Sequence, residues 1–417
     1  MTIESLKPPV EKTSSEKTEE NSESNAIGTK EKTGKRRSTV VIVRSRATDP
    51  TVEKFAESLS KNGYEVDILL WDRGMVSWSA VDKSYRISRF NFKAPQDVIG
   101  ALFYLPIWWT FEFCFLLKRK TDFVHAYDLD TLPPAALGKL VKRNRLFYTI
   151  GDFYANNLPE GRPYIARRLI RNLVASVEKF GTRFADELFL ADDCRRDELG
   201  VGVRPSVQIM YNSPPDFSCR TPGNESGISS DVTVFYCGVI SKSRGLEHMI
   251  RAVQGLDGIR LVIAGAGPDS ETIRTLCGNQ RGASFLGWLP SYEEVIVNSM
   301  KADILFRFSD PKVPKTYYES PNKLFEAMMC GKPIIVSDGS SMARIVTEEN
   351  CGIVIPYSNV RAIREAVLTL KSNPELRKRL GENGRAAYER KYSWAIMEKR
   401  LVDAYDNVSV TLNKSGR

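Results

Sequence analysis

The sequence predicts an α/β chain made of two doubly wound parallel sheets, one after the other. Short β-branched apolar runs alternate with amphipathic helical patterns along most of the chain, as buried parallel strands and their crossover helices require. That alternation breaks once, in a Ser-, Pro- and Gly-rich stretch near the middle. With 42% hydrophobic and 27% charged residues among 417, the composition is that of a globular protein of two or three domains. Sixty Lys and Arg against 51 Asp and Glu leave a net charge of +9. That excess favours an anionic substrate or a membrane surface and is too small to indicate nucleic acid. Seven scattered Cys without a Cys-x-x-Cys, and two His without metal-ligand spacing, read as reduced thiols in a cytosolic protein. This excludes a disulfide scaffold and leaves little material for His-based metal catalysis.

The first 37 residues are Glu, Lys, Ser and Thr with scarcely an apolar side chain, a disordered tail without the apolar stretch of a signal peptide. Order is expected from Ser38-Thr-Val-Val-Ile-Val-Arg44, a strand buried on both faces. A helix over Val52–Leu59 stops at Asn62-Gly63, and Glu65–Trp71 returns as a second strand. Strand, helix, strand is a right-handed crossover unit. Further units follow: strand Phe123–Ala126, helix Pro133–Lys142, strand Leu146–Ile150, a basic helix, and strand Glu187–Leu190. The stretch Asn212–Ser230 reads as a linker. Alternation then resumes with strand Val232–Tyr236, helix Leu246–Gln254, strand Ile259–Ala264, strand Ile304–Phe308, helix Asn322–Met329, and strands Pro333–Ser337 and Gly352–Ile355. Two Rossmann-like sheets in series imply a cleft between domains, with ligands at the carboxyl ends of the strands. The expected divisions are a tail over 1–37, a first domain over 38–205, a second over 206–392, and a terminal helix over 393–410 that packs back across the hinge.

Two segments point towards a membrane. Ile99–Leu117 is aromatic and apolar and runs into Lys118-Arg-Lys120, but Pro106, Glu112 and the strand soon after exclude a span within one sheet. It reads either as a core helix or as a helix lying in the interface. The stretch 161–183 sets Arg162, Arg167, Arg168, Arg171, Lys179 and Arg183 around an apolar stripe of Ile165, Leu169, Leu173 and Val177. Taken alone, such a charge run is also an ordinary solvated face.

The chemistry concentrates in the second half. In Glu319-Ser-Pro-Asn-Lys-Leu-Phe-Glu326, Pro321 and Asn322 start a helix whose free N–H groups attract phosphate. Lys323 sits in the first turn, where a cation is unfavourable without an anion nearby. Glu326, one turn on, suits the paired hydroxyls of a ribose. The alternative is a plain amphipathic helix with Leu324 and Phe325 in the core. Gly238 to Gly245 closes a strand and carries Lys242 and Arg244, a loop suited to a diphosphate. Ala264-Gly265-Ala-Gly267-Pro268 lacks the third Gly of a dinucleotide fingerprint. It reads as a tight turn that lets backbone approach a ligand.

These motifs resemble those of glycosyltransferase family 4, the retaining, metal-independent transferases with two Rossmann-like domains in the GT-B architecture. Ser320–Met328 with Gly331-Lys-Pro-Ile-Ile is similar to the family's donor segment, and Gly238–Gly245 to its diphosphate loop. Val124-His-Ala-Tyr-Asp128 is similar to its first-domain strand end, and Tyr392-Ser-Trp394 to the start of its crossover helix. The resemblance implies sugar transfer from a UDP- or GDP-linked donor with retained configuration and no metal or other cofactor. Donor contacts fall on Gly238, Lys242, Arg244, Gly265, Gly267, Asn322, Lys323, Leu324 and Glu326, with Glu326 at the ribose. Catalytic roles fall on Arg244, Glu319, Asp128 and His125, and acceptor contacts on Tyr127, Asp128 and Asp152. The sequence departs from the pattern at Val239, where the loop arginine is expected, at Tyr127, and at Tyr318, which leaves Glu319 one position from the first paired glutamate.

Three readings stay open: a transferase with a polyprenyl-phosphate or glycolipid acceptor, peripheral on the cytoplasmic face of an anionic membrane; the same enzyme with a soluble acceptor; and a non-catalytic nucleotide-sugar-binding protein. None of them involves nucleic acid. A sugar-nucleotide epimerase ranks below these, because it has no need of the Ser-Pro-Asn-Lys segment.

Overall fold

The structure is a computed structural model that describes residues 37–46, 50–74, 83–95, 98–151, 153–156, 164–199, 206–217, 231–313 and 322–414. The expected tail therefore lies outside the described residues, apart from Arg37. The first sheet has seven parallel strands: β1 (Thr39–Arg44), β2 (Glu65–Asp72), β3 (Arg86–Asn91), β4 (Phe123–Tyr127), β5 (Arg145–Ile150), β6 (Glu187–Leu190) and β7 (Ser206–Ile209). Their order is β3-β2-β1-β4-β5-β6-β7, so the winding reverses between β1 and β4. The helices on this sheet are α1 (Pro50–Lys61), α2 (Val98–Leu102), α3 (Leu105–Lys118), α4 (Leu132–Lys142), α5 (Tyr164–Gly181) and α6 (Arg195–Leu199). As expected, α1 ends at Asn62-Gly63, where Gly63 takes a φ of +90°.

The expected boundary between 205 and 206 is corrected by β7, which pairs in parallel with β6 from Glu187↔Ser206 to Leu190↔Ile209. Val207 and Ile209 pack against the core of the first sheet, so the apolar pattern continues past that boundary.

The second sheet has six parallel strands: β8 (Val232–Cys237), β9 (Ile259–Ala264), β10 (Ala283–Gly287), β11 (Ile304–Arg307), β12 (Ile334–Ser337) and β13 (Gly352–Ile355). The order β10-β9-β8-β11-β12-β13 places its reversal between β8 and β11. Its helices are α7 (Leu246–Val253), α8 (Ser270–Gly278), α9 (Tyr292–Lys301), α10 (Asn322–Met329), α11 (Ser341–Glu348), α12 (Val360–Ser372) and α13 (Pro374–Ala387). Side chains of Ser291, Ser340, Asn359 and Asn373 accept the first free N–H groups of α9, α11, α12 and α13.

A π-turn at Tyr388–Tyr392 leads into α14 (Trp394–Lys414), which crosses from the second sheet to the first. Tyr405 of α14 lies edge-on to Phe147 at 4.3 Å and tilted against Phe123 at 5.1 Å. Tyr64 Oη donates to Asp406 at 2.6 Å, and Arg400 donates to the Ile209 carbonyl at 2.9 Å. The hydroxyl of Tyr405 also meets His125 Nδ1 at 2.9 Å, while Nε2 meets Thr149 Oγ1 at 2.6 Å. His125 is fully buried and stacks on Phe189. Burial pushes its imidazole down to about 3, so the ring is neutral. The catalytic role expected for His125 is thus corrected: both ring nitrogens are occupied in packed interior, where they tie β4 to β5 and α14.

The aromatic segment divides. Trp108 stacks on Trp71 at 5.7 Å and Phe111 on Phe90 at 4.3 Å, which makes α3 a core helix over most of its length. Leu102, Phe103 and Ile107, at its amino-terminal end, remain exposed. Glu112 of α3 is fully buried, and neither carboxylate oxygen has a hydrogen-bond partner. Burial, with Asp130 adding to it, raises this carboxyl well above its ordinary range. Between the unfolded value, roughly 4.3, and the raised one, the folded chain holds a proton that the unfolded chain releases. Stability therefore falls as pH rises through that window. Glu112→Gln is expected to raise the melting midpoint by about 2–4 °C at pH 7–8. The difference should close near pH 4; a difference that does not vary with pH would contradict a buried, titrating carboxyl.

Candidate active site

The carboxyl edge of the second sheet, where β8 and β11 diverge, is where a ligand of this fold class sits. After β8 the chain runs through Gly238–Ser241 into a 3₁₀ turn, Lys242–Arg244, closed by Gly245 at a φ of +59°. The loop after β9 is zipped to it backbone to backbone: Gly238 N–H donates to Ala264 O at 3.1 Å and Ile240 N–H to Ala266 O at 3.0 Å. Asp269 accepts from Lys242 N–H at 2.8 Å. A Cβ on Gly265 would fall 1.8 Å from Gly238 O, and one on Gly267 would fall 2.2 Å from Ile240 O. The backbone that Gly265 and Gly267 admit is therefore that of the loop after β8. Tyr357 Oη, donating to Lys242 O at 3.2 Å, and Asp310 N–H, donating to Ser243 O at 3.0 Å, fix the other side of the loop.

Facing this loop, α10 places Asn322 and Lys323 half-buried in its first turn, while Leu324 is packed fully in the core. Of Leu324, only the main chain remains for a donor contact. Glu326 is 1% exposed, and both of its oxygens are engaged: Lys323 Nζ lies at 2.6 Å and Tyr292 Oη donates at 3.0 Å. The anion that offsets a cation at this helix start is thus Glu326. Burial raises the phenol of Tyr236, and Arg307, Arg244 and Lys323 in that order oppose the rise, so three cations bear on one hydroxyl at the end of β8. A pocket with about 230 Å³ of empty space lies here, lined by Tyr236, Cys237, Phe306, Lys323 and Glu326 among others. In the loop after β8, Lys242 is exposed and Arg244 half-buried.

At the carboxyl edge of the first sheet, Asp128 is 4% exposed at a φ of +69°, uncommon for a residue with a side chain. It pairs with Arg44 and accepts Gly151 N–H at 3.0 Å. The Arg44 guanidinium lies 4.3 Å over the ring of Tyr127. Asp152 and Glu319 lie outside the described residues, as does Tyr318. Among the described residues, no three His, Cys, Asp or Glu side chains group as a metal site, and the described cysteines are free thiols.

Residues 224–387 match the family model described as Glycosyl transferases group 1. This part of the chain is thus similar to the group 1 glycosyl transferases. Over 380 residues the chain is 26% identical to an uncharacterized glycosyltransferase of Methanocaldococcus jannaschii, a match covering 84% of this chain and 91% of that one. It is 28% identical over 244 residues to a GDP-mannose-dependent monoacylated alpha-(1-6)-phosphatidylinositol monomannoside mannosyltransferase of Corynebacterium glutamicum. That match covers 55% of this chain and 64% of the relative. In fold, the chain superposes on sucrose-phosphate synthase from Thermosynechococcus elongatus with a TM-score of 0.71, at 16% identity, over 90% of this chain and 100% of that one. Two Rossmann-like sheets with a helix crossing back make this a GT-B protein.

Three residues at these strand ends carry no assigned role in the sequence pattern. Tyr292 opens α9 and closes on Glu326. Arg307 ends β11, 4% exposed, with its guanidinium on Phe308 O and Ser309 Oγ. Asp130, buried beside Asp128, lines a pocket of its own. An arginine closing the apolar run Ile304-Leu-Phe and a second aspartate after β4 were the available signals. The loop zipper gives a direct test. Gly265→Ala combines a clash with a φ of +128° and is expected to remove nucleoside diphosphate binding by at least tenfold and to lower the melting midpoint. Gly278→Ala, with open space around it, is the control and should change neither. Unaltered UDP and GDP titrations of Gly265→Ala would refute the loop's role.

Proposed function

We propose that this glycosyltransferase moves a sugar from a UDP- or GDP-linked donor, with retained configuration and without a metal or other cofactor, to a lipid-linked acceptor at a membrane surface. The observation that carries the donor half is the pocket at the end of β8, lined by Lys323 and by buried Glu326, which meet at 2.6 Å. Breaking a glycosyl–diphosphate bond builds negative charge on the departing group. Cations held in advance by β11, α10 and the zipped loop offset that charge without reorganising. Glu326, released by Lys323, can accept from two vicinal hydroxyls. The GDP-mannose dependence in the name of the corynebacterial relative supports a nucleotide-sugar donor, and its phosphatidylinositol acceptor supports a lipid one.

The acceptor half rests on α5. Ile165, Leu169, Leu173, Val177 and Phe180 each leave about half or more of their surface exposed, while Glu178 on the opposite side is fully buried and accepts Tyr148 Oη at 3.3 Å. The helix therefore turns its apolar stripe outwards. Neighbouring α4 adds exposed Leu137, Leu140 and Val141. Exposed Arg168, Arg171, Lys179 and Arg183 border the stripe, complementary to anionic headgroups. A contiguous apolar face of this size marks an interaction surface. Among the described residues no helix is long and apolar enough to cross a membrane. On this reading the enzyme is cytoplasmic and docks peripherally.

Two experiments test the two halves. Arg244→Ala and Glu326→Gln are each expected to lower donor turnover about 10²- to 10³-fold across a panel of UDP- and GDP-sugars; near-normal turnover in both would remove the site. Flotation with anionic liposomes at low salt should recover the wild-type chain and not the Leu169→Glu, Leu173→Glu double variant. Equal recovery of the two would remove the membrane face.

A further inference from the structure

A second pocket, with about 300 Å³ of empty space, opens at the reversal point of the first sheet, lined by Arg46, Arg73, Asp130, Tyr154, Leu102 and Leu105 among others. Arg46 follows β1, Arg73 follows β2, Asp130 follows β4 and Tyr154 follows β5, so four strand ends contribute to one place.

Arg73 is held rigidly. Its guanidinium lies 4.3 Å over Trp71 and donates to Ser45 O at 3.0 Å and Pro95 O at 3.3 Å. Burial pulls its pKa down, Asp130 holds it up, and Arg46 pushes it down further. Among the described residues no group hydrogen-bonds to the Arg46 guanidinium, although Tyr154, Asp130 and Asp128 favour its charge. Asp130 is 6% exposed; one of its oxygens accepts from Ser45 Oγ, and the other closes no hydrogen bond. Burial and the neighbouring Asp130 raise the phenol of Tyr154, whose hydroxyl faces that carboxyl.

Among the described residues, cations outnumber carboxylates around this pocket. Arg44 pairs with Asp128, and burial raises the Glu112 carboxyl well above its ordinary range. Among the described residues, Asp130 is the carboxylate that bears on both Arg46 and Arg73. Two guanidiniums aimed into a half-enclosed site match the planar, multidentate recognition of a phosphate. The unpartnered oxygen of Asp130 and the hydroxyl of Tyr154 match hydroxyls on the same ligand. The remaining wall is apolar: Leu102 and Leu105 line it, and exposed Phe103 and Ile107 continue it outwards.

We infer that this pocket binds the phosphate group of an amphipathic acceptor, its apolar portion lying along Leu102, Phe103 and Ile107. This deepens the lipid-acceptor reading above and rests on it, in that it gives the acceptor an anionic head and a seat separate from the donor site and from the α5 stripe.

The test uses the full chain without donor, read by the fluorescence of Trp71 beneath Arg73. The probes are decyl phosphate below its micelle concentration, decanol and inorganic phosphate. Decyl phosphate is expected to bind saturably, at least tenfold tighter than either of the others, and Arg46→Ala is expected to lose at least tenfold of that affinity. The Arg46→Ala chain should keep the wild-type thermal shift with nucleoside diphosphate, which shows it folded with the donor site intact. The Leu169→Glu, Leu173→Glu chain should bind decyl phosphate as the wild type does. Unchanged affinity in Arg46→Ala, or decanol binding as tightly as decyl phosphate, would overturn the inference. Inorganic phosphate binding as tightly as decyl phosphate would also overturn it, because the ligand would then be a free phosphate. A chain that binds decyl phosphate without any nucleotide-induced shift keeps this pocket and removes the donor reading; the reverse removes the pocket alone.

Discussion

A lysine in the first turn of a helix, held by a buried glutamate three residues on, is the interaction around which the second sheet's site is arranged. Lys323 opposes the helix dipole, and Glu326 opposes its own burial; each makes the other tolerable. Neither partner is well placed for stability alone. Such an arrangement is conditional: a phosphate can take Lys323, and a pair of hydroxyls can take the carboxylate that is released. Tyr292 holds the second oxygen and keeps the carboxylate aimed while this happens.

Two constraints keep that exchange local. The glycine loops after β8 and β9 share backbone hydrogen bonds so closely that no side chain fits between them, which fixes Lys242 and Arg244 relative to the sheet. Helix α14 then ties the second sheet to the first through Tyr405, Asp406 and Arg400. The fully buried imidazole of His125 is part of this tie, and its neutrality allows it to sit among Phe55, Phe147 and Phe189.

Much of this was readable locally. The run Thr-Val-Val-Ile-Val, the Asn-Gly stop after α1, and the span of α10 are set by residues within one turn of each feature. Strands β3, β7 and β10 were not legible, because edge and short strands alternate polar with apolar residues and carry no continuous run. His125 could not be placed from sequence, since the hydroxyl that completes its burial lies 280 residues away. Gly265 and Gly267 announced a close approach, but not what approaches. The aromatic run before β4 has one composition whether it faces lipid or core, and the stacking of Trp108 on Trp71 decides most of it. The stripe on α5 was visible as a pattern; that it faces outwards is a fact of packing. Asp130 and Arg307 were hidden for the opposite reason: single charged residues at strand ends look like ordinary turn chemistry until neighbouring strands bring other charges beside them.

The central claim is that Lys323 leaves Glu326 to take a phosphate. A crystal structure of the chain with UDP or GDP tests it most directly. The account predicts a diphosphate within hydrogen-bond distance of Arg244 and of Lys323 Nζ, the 2.6 Å contact between Lys323 and Glu326 opened, and the ribose hydroxyls on Glu326. A nucleotide bound elsewhere, or bound here with Lys323 still paired to Glu326, would contradict it.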